Sequence, residues 1–240
     1  MKIAVFGDSF ADTHLKNPTP SWVQHLGYKY DVTNFACGGS SLFYSMSLFE
    51  KHHFSYDRVI FVITNPGRLL LPDWPCFDNI YQRMIPSPVM AEIMIEDFSS
   101  RKLTSSILKN RILIWQAALD YYKYIQFDDH DIYFHNLMFD RLTRLRPDAI
   151  IIPTSRRSHF SFANKTSMCD IQLKENLAWG ITDHAKTDVR NSHMTIRNNE
   201  IFAEKVIDWL NGGVAEINLD DFISPSMEEK AFYFKDSKGQ

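Results

Sequence analysis

Cysteine is scarce: Cys37, Cys76 and Cys169 are the only three in 240 residues. They are widely separated, with no CxxC pair and no zinc-finger spacing, which argues against a disulfide scaffold or a zinc ribbon and leaves free thiols suited to a reducing compartment. Long apolar runs are missing too. Met1-Lys2-Ile3-Ala4-Val5-Phe6 gives way at once to Gly7-Asp8-Ser9, too short a stretch for a signal peptide or a membrane span. The expectation is a cytoplasmic chain with no membrane span, in which the sequon Asn164-Lys165-Thr166 is a chance match. Neither charge sign dominates, with 26 Lys and Arg against 29 Asp and Glu, so the electrostatic footprint of a nucleic-acid binder is absent. Glycine is sparse, at 9 residues, and neither a GxGxxG turn nor a Walker-type lysine loop occurs. A nucleotide binder is therefore the weakest of the readings considered, and no cofactor is expected. The run Asp128-Asp129-His130-Asp131 lacks metal-ligand spacing and reads as solvated surface, so no metal is expected either.

What the chain has is core material, 45% hydrophobic and 14% aromatic. Four short continuous apolar runs read as buried strands: Ile3 to Phe6, Tyr30 to Phe35, Arg58 to Ile63 and Ala149 to Ile152. Continuous rather than alternating runs are expected when helices cover both faces of a parallel sheet. Helical spacing appears over Ser21 to Leu26, Ser40 to Lys51, Thr104 to Phe127, Phe134 to Arg146 and Thr195 to Trp209. Strands alternating with helices predict an α/β fold. Leu71 to Pro88, with Pro72, Pro75, Pro86 and Pro88 among aromatics, reads as an irregular loop. The expected organisation is one α/β domain over 1–212 with a helical insertion at about 71–146, then a tail or arm over 213–240.

Four polar segments follow strands or precede a helix. Ser9 in Gly7-Asp8-Ser9 falls just past the first strand, at the sheet edge where open α/β folds place ligands. Taken alone, Asp8 or Ser9 as a helix cap is the simpler reading. Asn34-Phe35-Ala36-Cys37-Gly38-Gly39-Ser40-Ser41 could present a backbone N–H at a glycine, or be an ordinary turn with Ser40 or Ser41 as N-cap. Asn65 could donate its amide to a developing oxyanion or merely start an Asn-Pro turn. Arg68 nearby could meet an anionic substrate group or solvent. Asp188-Val189-Arg190-Asn191-Ser192-His193 puts a histidine just before the final helix, where a general base would serve.

In order and context these segments resemble the SGNH hydrolases, the GDSL-type esterase and lipase superfamily. Gly7-Asp8-Ser9-Phe10 matches its first block, Asn34-x-Ala36-x-x-Gly39-x-Ser41 its second, Asn65 its third and His193 its fifth. Two departures stand out. The glycine usual two positions before Asn65 is Ile63, and the aspartate usual three positions before His193 is Arg190. The resemblance implies a flavodoxin-like three-layer α/β/α sandwich with a central parallel sheet. It also implies a Ser9 nucleophile, His193 as base, and an oxyanion hole from the Ser9 N–H, the Gly39 N–H and the Asn65 side chain. Asp188 is the preferred partner of His193, with Asp183 or a main-chain carbonyl as alternatives. Asp8, Arg68 and Arg190 are candidate substrate contacts. The implied substrate is a small-molecule or carbohydrate ester, with an O-acetyl group as the favoured acyl. The alternative is an inactive SGNH-like binding or structural module of the virion type.

Overall fold

A computed structural model describes residues 1–13, 20–64, 67–71, 84–85, 87–100, 106–154, 166–181 and 194–234. Among them β1 (Lys2–Phe6), β2 (Asp31–Asn34), β3 (Arg58–Ile63) and β6 (Ile150–Pro153) form a parallel sheet in the order β2-β1-β3-β6. β4 (Leu69–Leu70) and β5 (Met84–Ile85) pair antiparallel as a separate ribbon. The helices are α1 (Trp22–Gly27), α2 (Leu42–His52), α3 (Pro88–Ser100), α4 (Ser106–Tyr124), α5 (Asp128–Leu145), α6 (Met168–Ala178), α7 (Ile196–Leu210) and α8 (Met227–Phe234).

Side chains of successive strand residues point to opposite faces, and each face has its own core. Ile3, Val5, Ile60, Val62, Ile150 and Ile152 pack with Trp22 and Leu26 of α1, Ile171 of α6 and Phe202 and Val206 of α7. Ala4, Phe6, Val59, Phe61 and Ile63 pack with Leu42, Met46 and Phe49 of α2 and Leu142 of α5. The result is the expected α/β architecture, a parallel sheet between two helical layers. Because β1 joins β2 on one side and β3 on the other, the chain reverses direction across the sheet at the β1/β3 boundary. Ligands bind at the carboxyl end of such a switch point.

Of residues 71–146, α3 and α4 pack on each other around Ala91, Trp115, Ala118 and Leu119, whereas α5 belongs to the sandwich. Trp115 is thus core, and Trp74, Phe77 and Tyr81 lie outside the described residues. Asp128 to Asp131, read as solvated surface, form the first turn of α5, with Asp129 exposed. The arm after Gly213 lies along α6 and α7. Lys174 Nζ donates to Leu219 O and Phe222 O, Trp179 Nε1 donates to Ser226 O, and Phe222 is buried in the first core.

Candidate active site

After β1 the chain passes close to β3 at Gly7 and then makes a tight turn. The Asp8 carbonyl accepts from the N–H groups of Ala11 and Asp12, each at 3.0 Å, and Asp8 Oδ1 accepts from Phe10 N–H at 3.1 Å. Described residues 7–13 hold a turn and no helix, so Asp8 caps a single turn. Ser9 is half-buried on that turn and Asp8 is 0% exposed.

The loop after β2 is laced to this turn. Gly38 N–H donates to Asp12 Oδ2 at 2.6 Å, Cys37 N–H to Gly7 O at 3.1 Å and Ser40 Oγ to Gly7 O at 2.9 Å. Asn34 Nδ2 donates to Ala11 O at 2.7 Å, while its Oδ1 accepts from Ala36 N–H at 3.0 Å. Gly39 sits at φ +75°, a left-handed conformation that glycine adopts without steric cost. Ser41, not Ser40, caps α2, accepting from Tyr44 N–H at 3.2 Å. The asparagine that resembles the second block therefore fastens the Gly39 loop against the Ser9 turn, together with Cys37, Gly38 and Ser40.

From β3, Thr64 Oγ1 and Arg68 Nη1 each donate to Asp8 Oδ2 at 2.8 Å. Asp8, expected as a substrate contact, is instead a buried strut with both oxygens engaged. Arg68 is drawn to Asp8, with Ser40 O at 3.5 Å from the same nitrogen. Replacing Arg68 by Met would leave that carboxylate buried with the Thr64 hydroxyl on Oδ2. Breaking one side of a buried pair costs about 3 kcal/mol. Urea unfolding of Arg68→Met is expected to show a loss of that order, with partial recovery when Asp8→Asn is added, and an unchanged midpoint would contradict this role for the pair.

Asn65, Asp183, Asp188, Arg190 and His193 lie outside the described residues. The chain immediately after His193 is firmly held. Met194 and Thr195 are fully buried. Asn199 Nδ2 donates to Met194 O at 2.9 Å and Asn199 Oδ1 accepts from Trp22 N–H at 2.9 Å, while Trp22 Nε1 donates to Phe10 O at 2.6 Å. A path of hydrogen bonds thus joins the Ser9 turn to the start of α7.

Glu175 of α6 closes the other side. Its Oε1 accepts from Thr195 N–H at 2.9 Å, Thr195 Oγ1 at 2.7 Å and Asn198 Nδ2 at 2.6 Å. Burial raises its pKa to about 7, against the pull of those donors, with Glu229 of α8 pushing the same way. The folded protein therefore holds a proton that the unfolded chain releases between pH 4.5 and about 7. Stability from this group is full below that window and lost as pH rises through it, by about 3 kcal/mol. The melting temperature of Glu175→Gln relative to wild type is expected to climb from about pH 5 to pH 8; a constant offset would refute this. Asp148, whose pKa is lowered by its hydrogen bond from Arg146, titrates below that window.

No protein-family model and no curated protein matches this chain. Among the described residues, no helix is long and apolar enough to cross a membrane, and no group of three or more His, Cys, Asp or Glu side chains could hold a metal ion. Residues that motif reading passed over are Asp12, Thr64, Glu175 and Asn199. The clue for α6 was Ser167-x-x-Asp170, a capping box in which Asp170 Oδ2 accepts from Ser167 N–H and Oγ, each at 2.8 Å. With α6 recognised, Glu175 falls four residues after buried Ile171, on the helix's core-facing side.

Proposed function

We propose that this chain is a serine hydrolase of the SGNH type that cleaves an ester, with an O-acetyl group on a carbohydrate as the first substrate class to test. One observation carries the reading most. The Ser9 turn and the Gly39 loop are stitched together at the carboxyl edge of the β1/β3 switch point, and hydrogen bonds through Trp22 and Asn199 tie that turn to the residue following His193. A capping turn alone would need none of this lacing.

In the proposed mechanism His193 takes the Ser9 proton and Ser9 Oγ attacks the acyl carbonyl. The oxyanion is met by the N–H groups of Ser9 and Gly39 and the amide of Asn65. The alcohol leaves with the proton from His193, and water, activated by the same histidine, releases the acyl-enzyme. The Asp8 strut gives the hole its rigidity, since oxyanion donors are worth most when fixed before the reaction begins. Asp188 supports His193 in this scheme, while Arg190 and Arg68 remain the candidate cationic contacts for substrate. The insertion flanks the site: a hydrogen bond between Tyr122 of α4 and the Leu69 backbone anchors that helix beside Arg68. The same reading assigns the protein to the cytoplasm, where the free thiols of Cys37 and Cys169 stay reduced.

The second reading is a binding module that kept the scaffold, favoured by Arg190 at the position of the expected acid. Hydrolysis of p-nitrophenyl acetate, with fluorophosphonate labelling as a control, separates the two. Turnover and labelling that both depend on Ser9 support the esterase. A folded wild type that does neither supports the binding module.

A further inference from the structure

The first turn of α7 is fastened by a buried charge rather than by an ordinary cap. Thr195 occupies the N-cap position, but its hydroxyl donates to Glu175 instead of accepting from the helix. Asn198, one turn in, donates to the same carboxylate oxygen and to Ile223 O at 3.0 Å, and accepts from Ile223 N–H at 3.0 Å. The donors from residues 195 and 198 thus converge on Oε1 of one side chain that is 1% exposed. A glutamine would fill the same space without the desolvation of a charge, so the carboxylate is a costly choice if the task is only to hold two segments together.

We infer that Glu175 is a positioning residue for the base that the esterase reading assigns to His193: by gripping Thr195 and Asn198 it fixes the start of α7, two residues further along the chain. This rests on the esterase reading above. The C-terminal arm takes part, because Ile223 holds Asn198 from the far side. The ionised carboxylate is the stronger acceptor for these donors, so the grip tightens as Glu175 loses its proton. The charged groups around it are few among the described residues. Glu229 faces it from α8, where Lys230 Nζ is engaged with Trp179 O. On α6, Lys174 is held by Leu219 O and Phe222 O and Asp170 by Ser167. On α7, Arg197 is paired with Glu200.

The test uses the full chain with p-nitrophenyl acetate, comparing wild type with Glu175→Gln, Glu175→Ala, Thr195→Val and Ser9→Ala across about pH 5 to 9. Melting temperatures are measured alongside. Glu175→Gln keeps an acceptor oxygen and is expected to lower kcat about tenfold with KM within about twofold, and Glu175→Ala to lower it about 100-fold, as a misplaced catalytic group does. The acid limb of the wild-type kcat profile is expected to follow the loss of two protons, that of Glu175→Gln the loss of one. Should the Glu175 variants fail to fold, Thr195→Val removes a single contact and is expected to lower kcat about threefold. Folded variants with wild-type kcat and an unchanged acid limb would overturn the positioning role while leaving the esterase reading intact. A wild type without turnover, or a Ser9→Ala variant as active as wild type, would overturn the esterase reading and this inference with it.

Discussion

Ser9→Ala is expected to lower kcat for ester hydrolysis by a factor on the order of 10⁴ to 10⁶ while shifting stability by less than about 1 kcal/mol. The first figure follows from the nucleophile's role: without Oγ no acyl-enzyme forms, and only binding and the oxyanion donors remain to assist water. The second follows from how the turn is built. Among the bonds that hold it are those of the Asp8 carbonyl and carboxylate, Asp12 and Asn34. Ser9 is half-buried, and replacing its hydroxyl with hydrogen leaves those bonds in place. Steady-state turnover and a thermal melt on the same preparation decide the matter. Turnover within tenfold of wild type in a folded variant would remove Ser9 as nucleophile. A collapse of the melting temperature would make the activity loss uninformative about chemistry, and Ser9→Cys, which restores a nucleophilic atom of similar shape, would then have to recover acylation for the assignment to stand.

β1, β3 and β6 were legible because each is a nearly unbroken apolar run, and both faces of these strands are covered; the edge strand β2, Asp31–Asn34, has no buried residue and carries a weaker signal. The long helices were legible from one-sided spacing, although α5 starts six residues before the expected Phe134, because an acidic run reads equally well as surface and as a helix start. What escaped were the helices whose buried sides are polar. α6 buries Asp170, Glu175 and Asn176 beside Met168 and Ile171, so its hydrophobic pattern is diluted by groups that only tertiary hydrogen bonds make tolerable. α3 fell within the expected helical insertion but was given no bounds of its own, and α8 fell within the expected arm. The same limit governs the site. Ser9 and Gly39 announce themselves through glycine-rich turns after strands. Asp8 invites a reading as a substrate contact, because nothing in a sequence says that it will meet Arg68, sixty residues away, at 2.8 Å. Asp12 and Glu175 carry no local signature, since their meaning lies wholly in what they touch.

Gly7→Ala is expected to be the most damaging single change to the fold, costing about 3 to 5 kcal/mol and lowering the melting temperature by roughly 10 °C or more. An added Cβ would lie 2.6 Å from Val62 Cβ, 2.9 Å from Val62 O and 3.3 Å from Val62 Cα, and the glycine holds φ at +152°. Two of those three atoms are backbone, so no rotamer change relieves the contact, and the strain of the dihedral adds to it. Relief requires β1 and β3 to part at their carboxyl ends, in the sheet's fully buried centre. The Gly7 carbonyl would move as well, and it is the acceptor for Cys37 N–H, Ser40 Oγ and Ser45 Oγ, so the Gly39 loop would lose its seat along with the Ser9 turn. Gly27→Ala is the control: its Cβ would meet nothing within 4 Å, and at the end of a helix it is expected to leave the melting temperature level or slightly raised. A Gly7→Ala protein that melts with wild type would mean that the two strands separate at little cost. A close β1/β3 approach would then not be what holds the serine and its oxyanion donors in register, whereas a destabilised variant whose residual folded fraction is also inactive ties that approach directly to the chemistry.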